Sequence, residues 1–455
     1  MPVKADSEKT AKKEGGGGVK SVIVGVIVVA FAVAVALTAS RGKKSPNVIL
    51  IVSETLRADH LGCYGYGRDT SNFLDGLAKQ SVLFRRSYSQ APCTVPSMWN
   101  ILLSKYASHV PALSDSITMA EYFKHRQYRT AAFLSHVFLD AEKTNLHQGF
   151  DTYEILRRDD RKKVYAPLKA WSVTRAAIEW IDGVREDPFF LFLVYFDPHD
   201  PYEPPGKFRN HFNETDAFGG DRRRQKIHGR RKENKAVSDE HRTFLVNAYD
   251  EEIRYLDSEL ENLMSFLGDV DEFDDSIIIV TSDHGEELGD NGARWDHCQL
   301  LSREELWVPL IIKMPGQEYP LVVHEPVQTI DIFPTLVEYF SGPALPLFFG
   351  NLEGTSLLRL IGGQPGQEGR TAASFWTRQR CIVQGNVKYW EKGGTATLTD
   401  VDTNEDVKNE ALKQELKQKL DLVFETHVLK EDPKEKPAAG LDTDGYLEEI
   451  FESSR

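Results

Sequence analysis

Cysteine is scarce in this chain: Cys63, Cys93, Cys298 and Cys381 are the only four among 455 residues, far apart and without a CxxC pair. That spacing excludes a zinc finger and a disulfide framework, while one or two bridges stay open for a domain in an oxidising compartment. Positive charge is also short. Asp and Glu outnumber Lys and Arg 69 to 55, for a net charge of −14, so the overall field argues against a nucleic-acid partner and serves solubility. No internal repeat is visible. Long apolar runs are missing too, with one exception near the start. What is present, 41% hydrophobic and 27% charged residues, is ordinary for a globular protein and enough for a sizeable core.

The exception is residues 21–40, SVIVGVIVVAFAVAVALTAS, which carry no charge and have about the 20-residue length that spans a bilayer core. Five lysines (Lys4, Lys9, Lys12, Lys13 and Lys20) precede the segment, which favours the N-terminus inside. Residues 1–20, with Gly15 to Gly18 in a row, read as a flexible cytoplasmic tail. An uncleaved transmembrane anchor is the preferred reading of 21–40. A cleaved signal peptide is the rival, because Ala34-Val35-Ala36 resembles a cleavage site. In either case the rest of the chain is expected outside the cytoplasm, periplasmic or extracellular.

Four short apolar runs, residues 47–53, 189–196, 276–281 and 307–313, suit strands buried on both faces. Helical patterns at 165–184 and 238–267 lie between them. The alternation predicts an α/β fold, a mostly parallel sheet sandwiched by helices. Residues 45–365 are the expected catalytic domain. Shorter, more polar strand signals at 380–390 and 395–401, then a helical stretch at 410–429, predict a C-terminal subdomain over 366–430 with a small antiparallel sheet plus helix. Residues 431–455 read as a polar tail. The Arg- and Lys-rich segment 206–235 reads as a surface loop, either a solvated insertion or a clamp for an anionic substrate.

In such sheets ligands sit beyond the carboxyl ends of the strands. There stand Glu54-Thr55, Asp197-Pro198-His199 and Asp283-His284-Gly285-Glu286, with His297 a short step further on. Carboxylates and a histidine at adjacent strand ends can converge on one divalent cation. A mixed oxygen and imidazole shell suits zinc or manganese better than calcium or magnesium. Singly, each residue is more readily a solvated or structural group. The nucleophile candidate is Thr94, in Ala91-Pro92-Cys93-Thr94-Val95-Pro96-Ser97 ahead of a helical stretch at 98–106. A helix N-terminus favours an alkoxide and a bound oxyanion, and a cation makes a hydroxyl a competent nucleophile. The plainer role for Thr94 is a helix cap.

Taken together, NVILIVSETLRADHLGCYGYGRDTSNFLDGLAKQSVLF, APCTVPSMWNILLSKY, YRTAAFLSHVFL, FFLFLVYFDPHDPYEPP, IVTSDHGEELGDNGARWDHCQLLSREELWVPLIIKMPG and VQTIDIFPTLVEYFSG resemble the sulfatase family of the alkaline-phosphatase superfamily. The resemblance implies an alkaline-phosphatase-like fold. It implies a cation held by Glu54, Asp283 and His284 together with Thr94. It also places His199 and His297 on the oxyanion or the leaving-group oxygen, with His297 the candidate general acid.

The chain departs from the family pattern at the nucleophile. Sulfatases carry Cys-x-Pro-Ser-Arg, whose cysteine becomes formylglycine. Here the place two before Pro96 is Thr94, Cys93 is one place early and Met98 replaces the arginine. A threonine-nucleophile type is therefore expected, and Cys93→Ala is expected to stay active. Gly is also common in the family where Asp296 and Cys298 stand. The expected activity is hydrolysis of a phosphoric or sulfuric ester of a small molecule, glycan or lipid. The alternatives are a phospho-head-group transferase acting on envelope lipid or glycan, and a catalytically silent sulfatase-like binding protein.

Overall fold

The computed structural model describes residues 45–106, 117–157, 168–212, 238–292, 294–342, 352–367 and 369–428. The tail 1–20, the segment 21–40, most of the basic loop and the tail 431–455 lie outside these residues. Among the described residues no helix is long and apolar enough to cross a membrane.

Among the described residues the main sheet has nine strands. In chain order they are β1 (Val48–Ser53), β2 (Val82–Tyr88), β3 (Arg129–Leu134), β4 (Thr152–Ile155), β5 (Phe189–Tyr195), β6 (Ile277–Ser282), β9 (Trp307–Val308), β10 (Leu310–Lys313) and β11 (Leu321–Gln328), with a two-stranded hairpin, β7 (Glu287–Leu288) and β8 (Trp295–Asp296), between β6 and β9. The path across the sheet is β11-β2-β10-β6-β1-β5-β3-β4, with β9 against β2. From β6 to β4 every pair is parallel. β10 is antiparallel to both neighbours, so the sheet is mixed. The apolar run at 307–313 is broken into β9 and β10 at Pro309, which has no N–H for a ladder.

Both faces are covered, and β1 shows how. Ile49 and Ile51 enter one core with Ala177 of α2 (Ala170–Val184) and Leu256 and Leu260 of α3 (Asp239–Asp269). Val48, Leu50 and Val52 enter the other with Trp99 of α1 (Thr94–Leu103) and Phe333 of α4 (Ile332–Ser341). Alternate residues of one strand thus serve two cores, which is why the run is apolar throughout instead of alternating.

Register carries this order to the site. Ser53 pairs with Tyr195 on one side and Ser282 on the other, so the strands β5, β1 and β6 end level. Their next residues therefore emerge together at one edge. Hydroxyls tie these ends: Ser282 Oγ donates to the Ser53 carbonyl at 2.6 Å, and Ser53 Oγ donates to the Asp197 carbonyl at 2.8 Å.

The C-terminal sheet is an antiparallel meander, β12 (Thr371–Trp376), β13 (Gln379–Gln384), β14 (Val387–Lys392) and β15 (Thr395–Asp400). The predicted strand at 380–390 is in fact two strands turning at Gly385-Asn386. Gly393 and Gly394, both at positive φ, make the next tight turn, a backbone shape that glycine adopts without steric cost. Ala373, Phe375, Ile382 and Leu398 pack beneath α5 (Glu410–Val423) through Leu416 and Leu420. The opposite face, through Ala372, Trp376, Cys381 and Val383, packs on Tyr88, Leu301 and Leu306.

Candidate active site

Glu54 leaves β1 fully buried, and Asp283 and His284 leave β6 likewise. Asp283 Oδ1 accepts the backbone N–H groups of Thr55 (3.1 Å) and His284 (2.8 Å), which locks the carboxylate against the end of β1. Its Oδ2 and both Glu54 oxygens are buried without a hydrogen-bond donor. Burial first, then Asp283 and Asp197, push the Glu54 carboxyl well above its usual range. Two facing carboxylates in a dry site with open lone pairs are chemically matched to a cation, so the residues present fit a divalent metal.

Thr94 opens α1 instead of preceding it, so the helix starts four residues before the predicted stretch. Pro96 lies in its first turn, where a missing N–H costs nothing. The N-cap position is Cys93, not Thr94. Thr94 Oγ1 lies 3.2 Å from His284 Nε2, so the geometry is not that of a helix cap. His284 Nδ1 donates to the Gly285 carbonyl at 2.8 Å, leaving Nε2 as the lone-pair nitrogen of a neutral ring. Burial holds the pKa of His284 down to about 4. The same Nε2 is 3.3 Å from Asp283 Oδ2. Gly285 is required here, because a Cβ would run into the carbonyl of Glu304.

The histidines form a chain across the edge. The His284 and His297 ring centroids are 4.6 Å apart, and those of His297 and His199 are 4.9 Å apart. His297 Nδ1 lies 3.1 Å from Asp296 Oδ1 and 3.5 Å from Glu286 Oε1. A ring held between carboxylates at Nδ1 is placed to pass a proton from Nε2. His199 Nδ1 donates to the Asp200 carbonyl at 2.6 Å. Glu54, His136 and His199 each bring a ligand-type atom within 4.8 Å of one another, as do Glu286, Asp296 and His297.

The structure thus brings Glu54, Thr94, His199, Asp283, His284 and His297 together. Asp197 does a different job: its Oδ2 accepts the Ala170 N–H at the start of α2 (2.8 Å), and its Oδ1 faces Lys169 Nζ at 3.2 Å. Two features went unread in the sequence. His136, just beyond β3, points Nε2 at Glu54 Oε2 (3.3 Å), while its Nδ1 accepts the Phe138 N–H (3.3 Å). With Nδ1 accepting, the ring proton of His136 sits on Nε2, which lies beside the Glu54 carboxylate without hydrogen-bonding to it. Burial, then His297 and His284, lower its pKa to about 3. The rule applied at β1, β5 and β6, that strand ends carry the site, would have found it in TAAFLSH.

The second feature is a disulfide between Cys93 and Cys298, Cα atoms 4.8 Å apart. One partner precedes Thr94 and the other follows His297. The Cys298 N–H also donates to the Pro92 carbonyl at 2.8 Å. Asp296 and Cys298 both have positive φ. Glycine takes that conformation readily; here the bridge and the backbone bond hold it without glycine. Cys93 is occupied as a disulfide and carries no free thiol.

The family model described as Sulfatase matches residues 46–342. The chain belongs to the sulfatase family. Among curated relatives of this sulfatase-family chain, the ulvan-active sulfatase of Formosa agariphila is 26% identical over 347 residues, covering 70% of this chain and 65% of the relative. Mouse iduronate 2-sulfatase is 24% identical over 339 residues, covering 60% of each. The chain therefore spans under two thirds of the length of these two relatives. Among solved structures, the phosphonate monoester hydrolase of Agrobacterium radiobacter superposes with a TM-score of 0.66 at 19% identity, covering 84% of this chain and 96% of that one. A protein solved with its substrate D-glucosamine-2-N,6-O-disulfate gives 0.66 at 17% identity, covering 87% and 100%. These superpositions establish the alkaline-phosphatase-like α/β fold.

Proposed function

We propose that this chain is a metal-dependent hydrolase of a phosphoric or sulfuric ester, working through a covalent intermediate on Thr94. The observation that carries the reading is Thr94 Oγ1 seated 3.2 Å from the lone-pair nitrogen of His284, beside buried carboxylate oxygens of Glu54 and Asp283 that have no donor. Glu54, Asp283 and His284, with Thr94, would hold the cation. Zinc or manganese suits that oxygen and imidazole set. When bound, the cation supplies Lewis acidity, lowering the pKa of the hydroxyl and neutralising charge on the non-bridging oxygens.

The chain's own residues do the rest. Thr94 Oγ forms the new bond to phosphorus or sulfur, its proton passing to water. The bond to the alcohol oxygen breaks, and His297 Nε2 gives that oxygen a proton. His199 binds a non-bridging oxygen. Water then attacks the Thr94 ester and restores the hydroxyl. Threonine favours phosphoryl transfer on chemical grounds, because formylglycine sulfatases expel sulfate from a hydrated aldehyde and threonine offers no such exit. The relatives named above point to both ester classes, sulfatases on one side and a phosphonate monoester hydrolase on the other. The Cys93–Cys298 bridge supports an extracytoplasmic site, consistent with the apolar segment 21–40 acting as a membrane anchor.

The test is a parallel assay of p-nitrophenyl phosphate, bis-p-nitrophenyl phosphate and p-nitrophenyl sulfate with added zinc or manganese, using Thr94→Ala as control. Turnover of a phosphate or sulfate ester that falls at least about a thousandfold in Thr94→Ala, with the fold unchanged, is the expected result. Activity of Thr94→Ala near wild type would overturn the threonine assignment.

A further inference from the structure

His297 enters the site from a hairpin, so whatever fixes the hairpin fixes the candidate general acid. β7 and β8 pair Glu287 with Asp296 and Leu288 with Trp295, and His297 is the next residue. Strands of two residues bury little and share few bonds, so such a hairpin needs support from outside itself. Beyond His297, the bond from the Cys298 N–H to the Pro92 carbonyl ties the chain to the nucleophile segment. Before it stands Arg57, three residues past Glu54 and only 3% exposed.

The Arg57 guanidinium brackets β7. Nη1 donates to the Glu286 carbonyl at 3.0 Å, just before the strand, and to Asp290 Oδ2 at 2.7 Å, two residues past it. Asp290 Oδ2 in turn accepts the Leu288 N–H at 3.2 Å. Nε and Nη2 form a fork on Asp59, at 3.0 and 2.8 Å, which sets the plane of the guanidinium and so the direction of Nη1. The root of the side chain is fixed as well: the Arg57 N–H donates to Tyr249 Oη at 3.0 Å, and that hydroxyl donates to the Thr55 carbonyl at 2.7 Å. Arg242 of α3 also reaches the Leu288 carbonyl and Asp290, but its side chain is 43% exposed, where such bonds contribute little. Glu286, gripped through its carbonyl, presents Oε1 3.5 Å from His297 Nδ1.

We propose that Arg57 is a positioning residue for the general acid: it holds the β7–β8 hairpin against the end of β1, so that His297 meets the leaving-group oxygen. As an account of that step, it rests on the ester-hydrolase reading above. The informative substitution is Arg57→Lys. A lysine keeps the charge that offsets Asp59 and Asp290, but a single ammonium cannot reproduce the planar fork. The hairpin is loosened without leaving the two acids uncompensated. The test compares the phenyl and p-nitrophenyl esters of the acid that the full wild-type chain hydrolyses, in Arg57→Lys, His297→Ala and the double variant. Metal content and melting temperature are the controls. Phenol is the poorer leaving group, so its departure leans harder on a proton donor.

Arg57→Lys is expected to lower kcat about thirtyfold with the phenyl ester and about threefold with the p-nitrophenyl ester, with KM and metal content unchanged. In the His297→Ala background it should cost no more than about twofold, because the group it positions is gone. Equal losses on both esters, loss of metal, or losses that multiply with those of His297→Ala would overturn the assignment. A crystal structure of Arg57→Lys supplies a readout that needs no turnover. His297 displaced from its place 4.6 Å from the His284 ring centroid upholds the positioning role, and His297 unmoved overturns it. A displaced His297 in a chain whose wild type hydrolyses none of these esters would uphold the role of Arg57 and count against the hydrolase reading alone.

Discussion

Two carboxylate clusters are buried at the same edge of the main sheet, and they are handled in opposite ways. Asp197 and Glu252 close on Lys169, whose Nζ lies 3.2 and 2.8 Å from their oxygens. Glu54 and Asp283 share an equally dry place, but among the described residues their neighbours are His136 and His284, both held neutral by burial. One cluster carries its counter-charge in the chain. The other has the ligand set without the charge. Burying an uncompensated carboxylate is costly, so a dry pair of acids without a lysine is chemically matched to a cation, as proposed above.

The largest effect should come from Glu54→Gln. If the second cluster is a metal site, this variant loses bound metal and at least about a thousandfold in turnover. Its metal-free form should be no less stable than metal-free wild type, since one of two facing acids is gone. Metal content by elemental analysis alongside denaturant unfolding checks both parts. Unchanged metal content and turnover would make Glu54 a mere buried acid.

Lys169→Met probes the other cluster and should do the reverse. It is expected to cost about 3–5 kcal/mol of stability, the range for removing one partner of a buried ion pair, while the metal content of the folded fraction stays at the wild-type level. A variant that unfolds at the wild-type denaturant midpoint would show that Lys169 does not offset Asp197 and Glu252. The disulfide comes next. Cys93→Ala/Cys298→Ala should lower kcat by about tenfold with little change in KM, because the bridge orients Thr94 against His297 and touches no substrate. An unchanged kcat would reduce the bridge to a structural staple.

How much of this was legible beforehand follows from what each feature depends on. β1, β5 and β6 could be read because each serves two cores and is apolar throughout. β2 and β11 were not singled out, since Arg85 and Arg86 interrupt the first, and Glu325 and Pro326 the second. Glu54, Asp283, His284 and His199 could be read as a set because β1, β5 and β6, which carry them, end in register, whereas His297 follows the separate hairpin strand β8. His136 obeys the same rule on β3 but sits in a stretch whose strand was not read. The Cys93–Cys298 pairing joins residues 205 positions apart, and no local pattern encodes such a meeting.

A buried acid in a third setting refines the contrast, through the pH dependence of stability alone. Asp257, on α3, is buried with neither a lysine nor a set of orphaned lone pairs; it accepts the backbone N–H groups of Phe73 (2.8 Å) and Leu74 (2.9 Å). Burial pushes its pKa up to about 7. A carboxyl raised in the folded state binds more protons there than in the unfolded chain between about pH 4 and pH 7. Its contribution to stability therefore falls as pH rises through that window, by at most about 1.4 kcal/mol per unit. Asp257→Asn removes the titration and keeps one acceptor, so the difference in unfolding free energy between variant and wild type should shift in the variant's favour as pH rises from 4 to 7. A constant difference across that range would mean that the two backbone donors hold Asp257 ionised, as effectively as Lys169 serves its own pair.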